Sequence, residues 1–195
     1  MDTVSAGGAQ PTPKWDLQTV LGSLCHPPYE PMTSADLKCV SNKTAFLLAI
    51  TSAKRVGELH ALSMSDNCMS WSPDGASVQI RPNIAFLPKV LPRSYVNAPV
   101  MFAQYRKQRL SHWITDVIWH AYTMLGLDPP RRLKAHSTRA MATSWAALRG
   151  VSLKDMCAAA SWASPNTFAR FYRMNIADPP PLSVAVQSVQ LASGQ

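Results

Sequence analysis

The side chains that could act on a phosphate group are concentrated in two short segments of the C-terminal half of the chain. In HSTR, His136 and Arg139 stand three positions apart, so on a helix they would share one face and could bind one phosphate together. In ARFYR, Tyr172 lies between Arg170 and Arg173, whose positive charge would attract a phosphate toward the phenol. Each segment also has an ordinary structural interpretation, the first as a capped helix start and the second as an amphipathic interface tyrosine.

Three further residues fit the same chemistry, and each is a weak signal alone. Arg55 lies in TSAKRVGELHALS, at the junction of two helical stretches, where a guanidinium could point outward or simply be solvated. Lys89 lies in FLPKVLP, where a hairpin tip could carry its ammonium toward a ligand or leave it in water. Trp162 is a large aromatic side chain of a kind that more often belongs to a hydrophobic core. Glu58, one turn after Arg55, is expected to support that arginine rather than to react.

The charge of the chain favours a polyanionic partner. The net charge is +8, and the segment from Arg81 to Arg173 holds fourteen Lys and Arg residues against three Asp. A basic field of this kind attracts a nucleic-acid backbone, although excess charge can also serve solubility alone. The cations that we predict to contact DNA are Arg81, Arg93, Arg131, Arg132, Lys134, Arg170 and Arg173.

Other classes of site are not indicated. The four cysteines form no CxxC pair and have no zinc-ligand spacing, so we expect neither a metal nor another cofactor. The N-terminus lacks the apolar region of a secretory signal, and no run of eighteen apolar residues occurs. We therefore expect an intracellular protein with no membrane partner, located in the nucleus if DNA is its target.

The apolar spacing is mostly helical and predicts one domain of ordinary size. Residues 1–13 are predicted to be a disordered leader, residues 14–175 the folded domain and residues 176–195 a flexible tail. A small antiparallel sheet is predicted where CMSW and SVQIR flank a Ser-Pro-Asp-Gly turn, continuing into the proline-spaced stretch beyond. The fold class is thus mainly α with a small antiparallel β-sheet. One predicted helix begins at an N-cap at Thr33 or Ser34 and ends at about residue 53. The other predicted helices cover residues 15–24, 56–62, 110–125, 136–149, 152–160 and 164–174.

Taken in order, the candidate residues resemble the catalytic domain of the tyrosine recombinase (phage integrase) family. RVGELHAL is similar to the family's first arginine box, HSTR to its His-x-x-Arg box, and SWASPNTFARFYR to its closing segment with a tryptophan ten residues before the tyrosine. More narrowly, WDLQTVLGSL, KTAFLLAITSAKRVGELHALS, RPNIAFLPKVLP, RAMATSWAALRGVSL and CAAASWASPNTFARFYR resemble recombinases of vertebrate DIRS-type retrotransposons. These blocks span most of residues 14 to 175.

The resemblance implies DNA integration and recombination through a covalent intermediate. Tyr172 would attack a phosphodiester of double-stranded DNA and form a 3′-phosphotyrosyl bond, with no metal, ATP or small-molecule substrate. The family resemblance also implies roles for the other residues. Arg55 and Arg139 would clamp the phosphate, and His136 would transfer the phenolic proton. Trp162 would donate a hydrogen bond to the phosphate, and Lys89 would protonate the 5′-oxygen. The family works as an oligomer assembled on DNA, whereas we expect this chain to be monomeric when free.

Two departures from the family pattern bear on turnover. The family places a helical core-binding domain before the catalytic domain, whereas only a short leader precedes the catalytic blocks in this sequence, which predicts weaker and more salt-sensitive DNA binding. A stretch with another helix is also expected between SYVNAPV and FAQYRKQRL, so we predict an internal deletion near Val100 and Met101. A catalytically inactive DNA-binding remnant of a retrotransposon recombinase, or a helical protein-interaction domain, are the alternatives.

Overall fold

The structure, a computed structural model, describes residues 12–63, 66–81, 83 and 106–176. These residues form seven α-helices and one two-stranded antiparallel sheet, which confirms the predicted mainly α class with a small sheet. In chain order the elements are α1 (Leu17–Ser23), α2 (Leu37–Ser52), α3 (Val56–His60), β1 (Met69–Trp71), β2 (Val78–Ile80), α4 (Lys107–Met124), α5 (Ser137–Leu148), α6 (Leu153–Ala160) and α7 (Asn166–Phe171). None of the described helices is long and apolar enough to cross a membrane.

Helix α4 lies at the centre of the main hydrophobic core and packs against α1, α2 and α3. Its apolar residues recur with helical spacing, so one stripe faces inward, while the opposite face is mostly polar apart from the exposed Trp119 and Met124. The fully buried members of that stripe are Leu110, Ile114, Val117, Ile118 and Ala121. Helix α2 contributes Phe46 to the same core, and α5 contributes Met141.

A second, smaller apolar cluster joins α6 and α7 to the end of α2. It consists of Ala53, Met156, Ala160, Trp162 and Phe168, with Tyr172 packed against it. Of the alanines at 158–160 only Ala160 is buried in this cluster, beside the Trp162 ring, whereas Ala158 and Ala159 are exposed. Two of the candidate chemical residues, Trp162 and Tyr172, belong to this cluster or pack against it.

Several helix termini differ from the sequence predictions: α3 ends at His60 rather than 62 and α4 begins at Lys107 rather than 110, and α2 and α7 differ as follows. The N-cap of α2 is Asp36 rather than Thr33 or Ser34, and its carboxylate accepts a hydrogen bond from the Cys39 N–H at 2.6 Å. Helix α7 ends at Phe171 instead of continuing to 174, and Tyr172 is its C-cap residue.

The early end of α7 has a tertiary cause. The Ser144 hydroxyl on α5 donates to the Tyr172 carbonyl at 3.1 Å and accepts from the Met174 N–H at 2.9 Å. These two bonds divert the backbone from the helix, since they satisfy groups that a further helical turn would have used.

The small sheet has the predicted hairpin form, with Met69 paired to Ile80 and Trp71 to Val78. The segments that hold Lys89, Arg93 and the proposed deletion near Val100 lie outside the described residues, as do residues 1–11 and 177–195. Ile176, assigned to the tail from sequence, packs against the main core.

Candidate active site

The Arg139 guanidinium is the centre of the candidate site. Arg139 lies in the first turn of α5 and is only 1% exposed. Its Nη2 donates to the Ala160 carbonyl at the C-terminus of α6, and its Nη1 lies 3.5 Å from the Glu58 carboxylate. The Nε and Nη1 atoms are buried and have no hydrogen-bond partner among the described residues. Because a buried donor without a hydrogen bond is costly, an acceptor from outside the described residues would stabilise these atoms if it reached them.

The Trp162 side chain supplies a third unpaired donor next to the first two. Trp162 is 8% exposed, and its Nε1 is buried without a hydrogen-bond partner among the described residues. The Arg139 guanidinium carbon lies 4.9 Å from the centre of the tryptophan ring system. An indole N–H can only donate, so it needs an acceptor of the same kind as the guanidinium does.

The Tyr172 ring covers this group of donors. Its centroid lies 4.8 Å from that of Trp162 and 5.3 Å from that of His136, and the Arg139 guanidinium carbon lies 5.4 Å from it. Tyr172 is half-buried, and its hydroxyl makes no hydrogen bond with another described residue. The backbone bonds to Ser144 fix the tyrosine at the end of α7 and so hold its phenol against the unpaired donors.

His136 immediately precedes α5 and stands at the edge of the same group. Partial burial of its ring lowers the pKa of His136 below the ordinary value, and the positive charges of Arg139, Arg55 and Lys134 lower that pKa further. The imidazole is therefore neutral at physiological pH and carries one acceptor nitrogen. A neutral imidazole beside a phenol can take the phenolic proton.

Glu58 connects the two arginines of the site. The Arg55 guanidinium is about half exposed and its Nη1 lies 3.5 Å from Glu58 Oε1, while Glu58 Oε2 lies 3.5 Å from Arg139 Nη1. Glu58 Oε2 also accepts from the Arg55 backbone N–H at 2.6 Å, which places the carboxylate at the start of α3. Burial is the main cause that lowers the pKa of Arg139, followed by the charge of Arg55, whereas Tyr172 and Glu58 raise it. The guanidinium remains charged, as arginine does in proteins.

Two positioning residues were missed from the sequence. Lys54 Nζ donates to the Ala159 carbonyl and to the Ser161 hydroxyl, each at 3.1 Å, and so ties the junction that holds Arg55 to the end of α6. A cation at a helix C-terminus is stabilised by the carbonyls that have no helical partner there. The other residue is Ser144, whose hydroxyl holds the tyrosine. Neither lies in a recognisable motif, because each acts across more than twenty residues of sequence.

Five of the six predicted catalytic residues thus meet in one place, and Lys89 lies outside the described residues. The five are Arg55, His136, Arg139, Trp162 and Tyr172. Among the predicted DNA contacts, Arg93 also lies outside the described residues. The other six are exposed: Arg81, Arg131, Arg132, Lys134, Arg170 and Arg173.

Some of these exposed cations already have intramolecular contacts. The Arg81 side chain donates to the Gln79 side chain at 2.7 Å, and the Arg170 guanidinium carbon lies 5.2 Å from the centre of the Phe171 ring. Both contacts are at the surface and would not prevent a phosphate from approaching.

No protein-family model matches the sequence, and a comparison with curated proteins finds no match. The functional assignment is therefore carried by the residues and their geometry.

Proposed function

We propose that this chain is a DNA strand-breaking and rejoining domain of the tyrosine recombinase type, derived from a DIRS-type retrotransposon and acting in the nucleus. The observation that carries the proposal is the group of three buried donor atoms without a hydrogen bond among the described residues, next to a phenol: Arg139 Nε and Nη1 and Trp162 Nε1. A phosphodiester would supply the missing acceptors and place its phosphorus near the tyrosine.

A phosphate suits this group of donors better than a neutral acceptor does. A guanidinium presents its N–H groups in a planar fork that matches two oxygens of a phosphate. Arg139 is nearly fully buried, so a bound anion would also neutralise a charge that Glu58 alone neutralises only in part. During attack on phosphorus, negative charge grows on the non-bridging oxygens, and donors held in advance at those oxygens stabilise the transition state most.

The proposed reaction balances without a metal or ATP. The Tyr172 oxygen forms a bond to the 3′-phosphorus while the bond from phosphorus to the 5′-oxygen breaks, and the phenolic proton passes to His136. The departing 5′-oxygen takes a proton, for which the family resemblance assigns Lys89. Because one phosphate ester replaces another, the strand can be rejoined by attack of a 5′-hydroxyl on the phosphotyrosine.

Arg55 would complete the anion site from the solvent side. Its guanidinium is half exposed and is held by the same carboxylate as Arg139, so it can swing toward a phosphate without losing its position at the start of α3. Two guanidiniums on one phosphate would share the transition-state charge that a metal ion carries in other phosphoryl-transfer sites.

The test is covalent trapping on a nicked duplex whose short 5′-fragment diffuses away after cleavage. We expect a protein–DNA adduct that survives denaturation, and we expect it to be absent in Tyr172→Phe. Tyr122→Phe is the matched control, because Tyr122 is also half-buried and its hydroxyl contacts only the Asp16 N–H among the described residues, far along the chain from the site. No adduct from the parent protein on any nicked duplex, with the fold intact, would contradict the proposal.

A second candidate function is DNA binding without catalysis. It is favoured by the packing of the Tyr172 ring directly on Trp162 and Arg139, which leaves the guanidinium almost inaccessible in the free protein. This alternative predicts salt-dependent duplex binding that Tyr172→Phe leaves unchanged, together with the absence of any adduct.

A further inference from the structure

A groove of about 600 Å³ lies beside the candidate site, between the N-terminal half of α4, the start of α3 and the loop before α5. We propose that this groove binds a second phosphodiester of the DNA strand, next to the phosphate held by the buried donors. This inference rests on the proposed function only for the identity of the neighbouring phosphate. The polar residues that line the groove include Lys107, Gln108, Ser111, His112, Lys134 and His136.

The groove and the candidate site share one wall. His136 lines the groove and also packs on the Tyr172 ring, and Val56 at the groove follows Arg55 directly in the chain. A strand that leaves the buried donors past His136 would therefore enter the groove.

The charges at the groove have one sign. Two lysines, Lys107 and Lys134, line it, and no Asp or Glu does so among the described residues. Neither lysine forms an ion pair with a carboxylate of the described residues. Two unpaired ammonium groups at one groove create a local positive potential that a phosphodiester would neutralise.

Lys107 is held close to the start of α3 by a glycine. A Cβ atom built on Gly57 would lie only 3.0 Å from Lys107 Nζ, so the ammonium lies directly against the start of α3 at this position. The Lys107 ammonium therefore lies beside Gly57, two positions after Arg55 in the chain.

The lining also explains why a nucleic-acid strand fits better than a free phosphate ion. Along α4, the residues at positions 107, 108, 111 and 112 form one polar stripe with a single cation, Lys107. Val56, Leu133 and Ala135 supply an apolar part of the same lining. Apolar surface between polar groups suits the sugar carbons that connect successive phosphates, and a free ion would make no use of it.

The experiment measures duplex affinity by fluorescence anisotropy as a function of salt, for the parent, Lys107→Gln and Lys134→Gln. Loss of one phosphate contact should reduce the slope of log affinity against log salt by about 0.9 in each variant. Between 50 and 200 mM salt, the decline in affinity should consequently be about 3.5-fold smaller than for the parent. Lys38→Gln on α2 is the matched control, because Lys38 is exposed and lies outside the groove, and it should leave the slope unchanged.

Unchanged salt slopes in both groove variants would overturn the inference. A reduction of the slope in Lys38→Gln as large as in the groove variants would also overturn it. Competition by inorganic phosphate that abolishes these slope differences without displacing the duplex would assign the groove to a free ion and also overturn it. Failure of the proposed function can be distinguished from failure of this inference. If the Tyr172 adduct does not form but the salt slope is reduced in Lys107→Gln and Lys134→Gln, the groove assignment stands. A normal adduct with unchanged slopes refutes the groove assignment alone.

Discussion

Replacing Glu58 by glutamine tests how the buried arginine is stabilised. The carboxylate lies 3.5 Å from Arg139 Nη1 and 3.5 Å from Arg55 Nη1, and is therefore the anion between two cations. Glutamine keeps the shape and can still accept from the Arg55 N–H, so the substitution removes the charge and little else. We expect Glu58→Gln to destabilise the free protein and to increase its affinity for inorganic phosphate.

The magnitude follows from the burial of the two partners. Breaking a fully buried ion pair by removing one partner costs about 3–5 kcal/mol. The Glu58 side chain is 19% exposed, and Arg139 retains its bond to the Ala160 carbonyl, so we expect a smaller loss of about 2–3 kcal/mol in the free energy of unfolding. For a domain of this size that loss corresponds to a decrease in Tm of about 4–12 °C.

The assay is thermal unfolding by circular dichroism, with and without inorganic phosphate at constant ionic strength. Phosphate should raise the Tm of Glu58→Gln more than that of the parent, because the bound anion supplies the charge that glutamine lacks. Asp128→Asn, which removes an exposed carboxylate, is the control and should change neither quantity. If Glu58→Gln unfolds at the Tm of this control, or if phosphate stabilises both proteins equally, the claim that Glu58 stabilises the buried charge of Arg139 is refuted.

Four further predictions concern residues of the candidate site. Arg139→Lys should lower the rate of adduct formation about 10²- to 10³-fold, because one ammonium cannot contact both the Ala160 carbonyl and the phosphate as the planar guanidinium does. Single-turnover trapping measures this rate, and a loss below threefold would contradict the prediction. Because the pKa of His136 is lowered from 6.5, the rate of adduct formation should stay level as pH falls from 7 to about 6.5 and decline only below pH 6.5. A decline that begins above pH 6.5 would contradict the assignment of His136 as the proton acceptor. Because of the same lowered pKa, the unfolded chain binds a proton on His136 at a higher pH than the folded chain does. The free energy of unfolding, measured by urea titration, should therefore decrease as pH falls below 6.5. His136→Gln should lose this dependence. Lys54→Met removes the two bonds at the end of α6, so it should slow adduct formation about tenfold while duplex affinity stays within twofold, and an equal loss of both would show a merely structural role.

The sequence predicted the elements whose signals are local. The α4 stripe follows helical spacing, Ser152 caps α6 through the Asp155 N–H at 3.1 Å, and Gly150 ends α5 with a left-handed φ of 78°. In each case the relevant partners lie within one or two turns. The end of α7 was predicted wrongly because a distant residue decides it: Ser144 ends α7 at Tyr172, 28 residues away. The N-cap of α2 was predicted wrongly although its signal is local, because Asp36 and two other capping residues stand within four positions of one another.

The candidate site shows the same division. The types and order of Arg55, His136 and Tyr172 were readable, because residue type and spacing suffice to suggest phosphate chemistry. Three features were not readable: the carboxylate shared between the two arginines, the burial of the Arg139 guanidinium, and the ring stacked over it. Each of them depends on packing between separate helices.

The most direct test of the central claim is the NMR resonance of the Trp162 indole N–H. The chain has six tryptophans, and Trp162→Phe would identify the signal. With no hydrogen-bond partner among the described residues in the free protein, this N–H should shift markedly when inorganic phosphate or a short duplex is added, and Arg139→Lys should weaken the shift. An indole resonance that stays in place while DNA binds elsewhere would contradict the claim that a phosphate occupies this site.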